Sequence, residues 1–262
     1  MNGMRLDLSG KHALVCGASR GIGRAAAAAL ASAGARVTLL ARDAGALERA
    51  RAALPGGGHA IVCADLSDPE ALRAVLDAHL RATGPAHVLV NNSGGPPGGA
   101  AHTANPDDFL GAFRQHLLAA QVLVQAVLPG MRAAGYGRII NVISTSVKEP
   151  ISGLGVSNTV RGAVASWAKT LAGELGRDGI TVNNVLPGFT ATDRLDYIFD
   201  TKAEKTGRPR SELEAAAKAQ VPLGRFAEPA EVAAAIAFLA SPLASYVNGI
   251  NLPVDGGRTG SL

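Results

Sequence analysis

Short apolar runs alternating with longer stretches of helical period set the pattern of this chain. Runs at residues 14–16, 35–41, 59–64, 86–90, 138–144, 180–186 and 249–254 are rich in Val, Ile and Leu, and most end at Gly, Pro, Asn or Asp. They read as strands. The segments between them read as helices: alanine-rich residues 24–33, then 44–54, 69–83 and 228–240. After Pro106, the positions Phe109, Phe113, Leu117, Gln121, Val124 and Leu128 recur at steps of three and four, which predicts a helix lying by one face on the sheet. A second long helix carries Val156, Val160, Val164, Trp167, Leu171 and Leu175, with Trp167 read as core and with Ser157 and Arg161 beside the stripe. This alternation implies one α/β domain over residues 1–262, a Rossmann-type doubly wound parallel sheet of about seven strands, its first three ordered 3-2-1. The run 138–144 is apolar enough to be buried on both faces, as central parallel strands are.

The junction between the first strand and first helix carries chemistry. Gly17, Gly21 and Gly23 stand in Gly-Ala-Ser-Arg-Gly-Ile-Gly, with Ser19, Arg20 and Ile22 between them. Glycine serves where the backbone takes positive φ or lets a ligand approach, and a helix opening at Gly21 directs free N–H groups and partial positive charge outward. A phosphate group is the natural occupant.

The carboxyl ends of the other strands supply the remaining candidates. Arg42 ends the second strand, where a basic residue pairs with a ribose 2′-phosphate and an acidic one with a free hydroxyl. Arg42 favours NADP(H) over NAD(H), and Arg20 points the same way unless both are solvated surface charges. Asp65 ends the third strand and either accepts from the adenine amino group or forms the turn into the next helix. The fourth strand runs into Asn91-Asn92-Ser93-Gly94-Gly95-Pro96-Pro97-Gly98-Gly99, a loop of fixed shape suited to a wall for a flat ligand. Ser144 stands at the end of the fifth strand, and Pro187-Gly188 closes the sixth. The polar segment 189–221 is long for a connection in a compact domain, as lids over sites are.

Composition narrows the function classes. The net charge is +4, but Lys and Arg are scattered, which argues against nucleic acid and suits an anionic cofactor or substrate. No contiguous apolar run spans a membrane and the first seven residues lack a signal-peptide centre, so a cytoplasmic protein is expected. Cys16 and Cys63 fall in the first and third strands, about two strand spacings or ~10 Å apart, beyond disulfide reach; both read as buried inert thiols, and no metal site is expected.

Together these motifs resemble the short-chain dehydrogenase/reductase family over residues 6–258. The matching residues are Gly17-x₃-Gly21-x-Gly23, Asp65, Asn91-Asn92-Ser93-Gly94, Ser144, Pro187-Gly188-x-Thr190-x-Thr192 and the closing Val254-Asp255-Gly256-Gly257. The resemblance is nearest to 3-oxoacyl-carrier-protein reductases. It implies dinucleotide binding by Gly17, Ser19, Arg20, Gly21, Ile22, Gly23, Arg42, Asp65, Asn91, Ser93, Gly94, Pro187, Gly188, Thr190 and Thr192. It also implies a homotetramer paired through the long helices and the last strand. Family members place a tyrosine thirteen residues after the strand-end serine and a lysine four further on; here those positions are Ser157 and Arg161. The asparagine that completes the catalytic set aligns with His116. A serine hydroxyl is too weak an acid to replace tyrosine, and arginine stays charged without relaying a proton. The expected site therefore uses Arg161 for the nicotinamide ribose, Ser144 for the substrate oxygen, and Lys148 or His116 as proton source. Three functions stay open: an NADP(H)-dependent oxidoreductase reducing a ketone or 3-oxoacyl-type carbonyl or oxidising the alcohol, a non-catalytic dinucleotide-binding protein, and a non-redox lyase or isomerase on the same fold.

Overall fold

A computed structural model describes residues 6–261. All seven strands are parallel, in the order β3-β2-β1-β4-β5-β6-β7. They are β1 (His12–Cys16), β2 (Arg36–Ala41), β3 (Ala60–Cys63), β4 (Val88–Asn91), β5 (Gly137–Val142), β6 (Ile180–Pro187) and β7 (Asn251–Val254). Helices α1 (Gly21–Ser32), α2 (Ala44–Ala52) and α9 (Pro229–Ala240) cover one face. On the other face lie α3 (Pro69–Thr83), α5 (Ala119–Ala134) and α6 (Gly155–Leu175). The period of two decides the split: Ala13 and Val15 of β1 join the first layer, Leu14 and Cys16 the second. β5 is buried along its whole length, as its apolar pattern requires.

Four asparagines cross this apolar sheet. Asn91, Asn141, Asn184 and Asn251 stand in register on β4, β5, β6 and β7. Each side-chain amide donates to the next carbonyl oxygen, at 2.8 Å, 2.9 Å and 2.8 Å. Buried amides are tolerated when so paired. Asn91 Oδ1, at the start of the row, is buried with no partner.

Four sequence expectations are corrected. The helix after Pro106 is not continuous in period: α4 (Pro106–Phe113) passes through a π turn, Arg114–Leu118, before α5. The extra residue rotates the face, so Phe109 and Phe113 pack on Val156 and Val160 of α6, while Leu123, Val127 and Met131 meet the sheet. Taken through that turn, Pro106–Ala134 is also long and apolar enough by length and composition to cross a membrane, with one third of its apolar window buried. Counting only contiguous apolar residues misses it. Trp167 is half-buried, its indole N–H donating to Gln121 Oε1 at 2.9 Å. Cys63 is exposed, because β3 is the sheet edge, and its thiol donates to the Arg42 carbonyl at 3.0 Å.

Residues 189–221 fold into α7 (Asp193–Thr206) and α8 (Arg210–Lys218), held by a small core of Leu195, Phe199, Leu213 and Ala217. A charged cluster, Arg210 with Asp196, Asp200 and Glu214, joins the two helices.

Candidate dinucleotide and carbonyl site

β1 delivers the chain into a turn that only glycine fits. Gly17 and Gly21 have φ of +59° and +55°. A Cβ on Gly23 would fall on the Gly17 carbonyl oxygen and 2.7 Å from Asn92 Nδ2. Arg20 caps α1 in extended conformation without a side-chain cap bond, and no acid stands in the first turn. The opening N–H groups of α1 are thus left for an anion. Asn92 donates to the Cys16 carbonyl at 3.3 Å, tying the β4 loop to the glycine turn. Sequence reasoning gave Asn92 no role; its place in Asn91-Asn92-Ser93-Gly94 was the available signal.

Arg42 and Asp65 sit side by side at the ends of β2 and β3, 3.9 Å apart and well exposed. Asp65 Oδ1 also accepts from Ser67 N at 2.9 Å, so it forms the turn that the sequence allowed, and that hydrogen bond is the main influence holding its carboxyl below the usual range. Arg20 pairs with Asp193 of α7 at 3.6 Å, both about three-quarters exposed. Such pairs are worth under about 1 kcal/mol and exchange readily for a phosphate. Across the cleft, the Thr192 methyl lies 3.3 Å from where a Gly21 Cβ would be. Thr190 is buried and donates to the Gly188 carbonyl at 3.2 Å, while a Cβ on Gly188 would lie 2.7 Å from that of Asp255. Pro187 ends β6 beside them. Ser19 is half-exposed in the glycine loop, Ile22 packs on the core under it, and Gly94 lies open to solvent.

The inner end of the cleft gathers the remaining residues. Ser144 Oγ accepts from Ser146 N at 3.0 Å, capping a 3₁₀ turn, Thr145–Val147, which leaves its hydroxyl proton to donate. Lys148 follows that turn, half-buried. Arg161, 7% exposed on α6, donates to the Val142 carbonyl at 3.1 Å. Burial, with Arg194 adding to it, pushes Arg161 down to about 10, still charged at neutral pH. Ser157 lies half-buried one turn earlier.

His116 is carried inward by the π turn and is 6% exposed; its Nδ1 and Ser93 Oγ are 2.6 Å apart, and its Nε2 has no partner. Burial, then Arg161, pushes the imidazole down to about 2. Burial thus favours the neutral imidazole, which weighs against His116 as the proton source. A cavity of about 20 Å³, room for one water, lies among Asn91, Ser93, His116, Asn141 and Arg161.

Two further arginines border the site unforeseen. Arg194 of α7 donates to the Pro96 carbonyl at 2.9 Å. Arg258 lies over the Phe189 ring and donates to Thr145 Oγ1 at 3.5 Å. Neither follows a spacing rule, because each arrives from a segment whose path only the fold decides.

A doubly wound sheet with a glycine cradle at its first turn and a strand-end serine beside a buried cation defines a dinucleotide-dependent oxidoreductase. The chain belongs to the short-chain dehydrogenase/reductase family. A family model described as enoyl-(acyl carrier protein) reductase matches residues 17–259. The 3-oxoacyl-[acyl-carrier-protein] reductase of Vibrio cholerae is 36% identical over 254 residues, covering 96% of this chain and 98% of that one. D-threitol dehydrogenase of Mycolicibacterium smegmatis is 34% identical, covering 96% and 94%. The L-sorbose reductase of Gluconobacter frateurii, solved with NADPH and L-sorbose, superposes with a TM-score of 0.93 at 32% identity, covering 99% of this chain and 100% of that one.

Proposed function

We propose that this protein is an NADP(H)-dependent reductase of a small carbonyl compound, or a dehydrogenase of the matching alcohol, with a rebuilt catalytic centre. The observation that carries this is the buried Arg161 cation anchored on the Val142 carbonyl, two residues before Ser144, at the inner end of a glycine-cradled cleft. The glycine cradle, which a Cβ at Gly23 would fill, and Arg42 at the ribose position fit a phosphorylated dinucleotide. When bound, the nicotinamide supplies or accepts hydride. Gly17, Ser19, Arg20, Gly21, Ile22 and Gly23 hold the diphosphate; Arg42 with Arg20 takes the 2′-phosphate, and Asp65, Asn91, Ser93 and Gly94 line the adenosine and ribose. Pro187, Gly188, Thr190 and Thr192 close the nicotinamide end under a lid formed by residues 189–221.

In this reading Ser144 donates to the substrate oxygen while Arg161 orients the nicotinamide ribose and stabilises the negative charge that builds on that oxygen. Lys148 supplies the proton, four residues past Ser144. Neutral His116, hydrogen-bonded to Ser93, positions the β4 loop rather than donating, and Ser157 leaves room where the family tyrosine stands. Substituting Lys148 by Met is expected to lower turnover by about 10²–10⁴-fold with NADPH affinity intact, the range a supplied proton is worth. His116→Asn should cost less. The measurement is NADPH oxidation over ketones and 3-oxoacyl thioesters, with cofactor affinity titrated separately. If no substrate oxidises NADPH although it binds, the reading passes to a non-catalytic dinucleotide-binding protein, which Ser157 in the tyrosine position favours.

Arg42→Ala is expected to weaken NADPH by about tenfold to a hundredfold and NADH little, as loss of a charge-assisted contact predicts. Equal losses for both cofactors would count against the assignment. The same reading places the protein in the cytoplasm as a homotetramer. Leu110 and Leu118, 58% and 46% exposed beside the π turn, support burial of this face against a second copy. Two isologous interfaces give D₂ symmetry, and light scattering at one chain's mass would contradict it.

A further inference from the structure

Arg161 is a permanent charge sunk into the fold, and among the described residues no carboxylate pairs with it. A buried cation without a counter-charge is costly. Its nearest charged neighbour makes matters worse. Arg194 approaches from α7, and the two Nη2 atoms lie 3.9 Å and 3.7 Å from the point where a Cβ on Gly95 would stand. Each guanidinium has already placed one nitrogen on a backbone carbonyl: Arg161 Nη1 on Val142, Arg194 Nη2 on Pro96. Those bonds fix the pair without neutralising it. Arg194 has no carboxylate partner among the described residues either, although Asp193 beside it is taken by Arg20.

Gly95 completes the arrangement. Its backbone does not require glycine, since its φ is not positive, yet a side chain there would fill the space that both guanidiniums border. Two fixed cations from different elements, a bare glycine between them and no acid in reach describe a cradle for an anion. Arg161 is anchored to the Val142 carbonyl, two residues before Ser144, so the cradle lies near the end of the strand that carries that serine.

We propose that the substrate carries a carboxylate, held between Arg161 and Arg194 in front of Gly95, so that the carbonyl reduced at Ser144 belongs to an oxo acid rather than to a thioester or a neutral sugar. This rests on the reductase reading and narrows it. The carboxylate relieves the repulsion between the two arginines and makes charge-assisted hydrogen bonds that an ester lacks. The acid would bind where α7 already meets the β4 loop through the Arg194 bond to the Pro96 carbonyl. The one other anion within the site's reach is the cofactor's own phosphate, and the test separates the two.

The probes are pyruvate, acetoacetate and levulinate, each beside its methyl ester, titrated into the full chain saturated with NADPH and followed by NADPH fluorescence and by melting temperature. At least one acid is expected to bind on the order of tenfold to a hundredfold more tightly than its ester. Arg194→Met should abolish that preference while leaving NADPH affinity unchanged, and Arg194→Lys should restore part of it. Gly95→Val, which keeps both charges but fills the space, should also remove acid binding. Equal binding of acid and ester overturns the proposal, as does an Arg194→Met variant that loses NADPH affinity and keeps acid preference, for the anion is then the cofactor's phosphate. NADPH oxidation read in the same cells keeps the two readings apart. Neutral ketones reduced without acid preference leave a reductase and remove the clamp; acids bound with preference but never reduced leave the clamp and remove the reductase.

Discussion

Alanine at Gly23 is expected to abolish dinucleotide binding and to lower the melting temperature sharply. The added methyl falls on the Gly17 carbonyl oxygen and 2.7 Å from Asn92 Nδ2, so backbone from β1, side chain from the β4 loop and helix α1 all crowd one point. The nearest atom belongs to the Gly17 backbone, which cannot swing aside as a side-chain end could. Overpacking in well-packed interiors costs about 1–3 kcal/mol and more where backbone must move. Separation of α1 from the turn also misdirects the N–H groups that face the diphosphate, so binding fails even where folding survives. The control is Gly45→Ala in the first turn of α2, where a Cβ meets nothing nearer than 3.5 Å. That change should raise stability by about 0.5–1 kcal/mol through helix propensity and a stiffer unfolded chain. Melting curves with and without NADPH measure both. A Gly23→Ala protein that melts and binds as the parent does would refute the close-approach account.

Acid should unfold this protein earlier than its carboxylates alone require. His12 is 2% exposed at the amino end of β1, its ring between the Pro85 carbonyl at 3.1 Å and Thr38 Oγ1 at 2.8 Å. Burial first, and then the Arg36 charge, push it down to about 4. His116 is pushed to about 2, and His79 and His87 are lowered in the same direction, again chiefly by burial. Each favours the neutral form in the folded state and titrates near 6.5 when unfolded. The stability they contribute is therefore complete above pH 6.5 and is lost as pH falls, to about 4 for His12 and further for His116. A drop from 6.5 to about 4 for His12 corresponds to about 3 kcal/mol, a large share of an ordinary domain's stability. Glu231, held down to about 2 by Arg225, adds a loss that begins in the usual carboxylate range and runs down to about 2. Urea unfolding at pH 7.5, 6.5, 5.5 and 4.5 should show stability level at the first two and falling through the last two. His116→Asn should flatten part of that slope; a level profile to pH 4.5 would sink the histidine linkage.

The strand and helix alternation was legible because parallel strands buried on both faces must be apolar along their length, and Gly17, Gly21 and Gly23 because no other residue meets their backbone demands. The ends of strands were legible for the same reason: Arg42, Asp65, Asn91 and Ser144 stand where the apolar runs stop. What the sequence could not show depends on rotation and reach. A π turn has no residue signature, so the inward swing of His116 and the turning of Phe109 and Phe113 onto α6 were invisible. Arg194 and Arg258 act from irregular or lid segments, where no period ties a side chain to a face. Cys63 looked buried because its run is apolar, but β3 is an edge and one flank meets solvent.

The asparagine row across β4, β5, β6 and β7 bears on how such a chain can change over generations. Its amides all donate in one sense, from Asn91 toward Asn251, so the inner residues Asn141 and Asn184 are each both donor and acceptor to their neighbours. An apolar replacement of Asn141 or Asn184 orphans one polar atom on either side at once, at a cost of about 1–3 kcal/mol for each. Only replacing all four members together removes the orphans and the penalty. Single-step mutational paths through these positions therefore cross a valley, and lineages are expected to keep the row entire or to lose it entire.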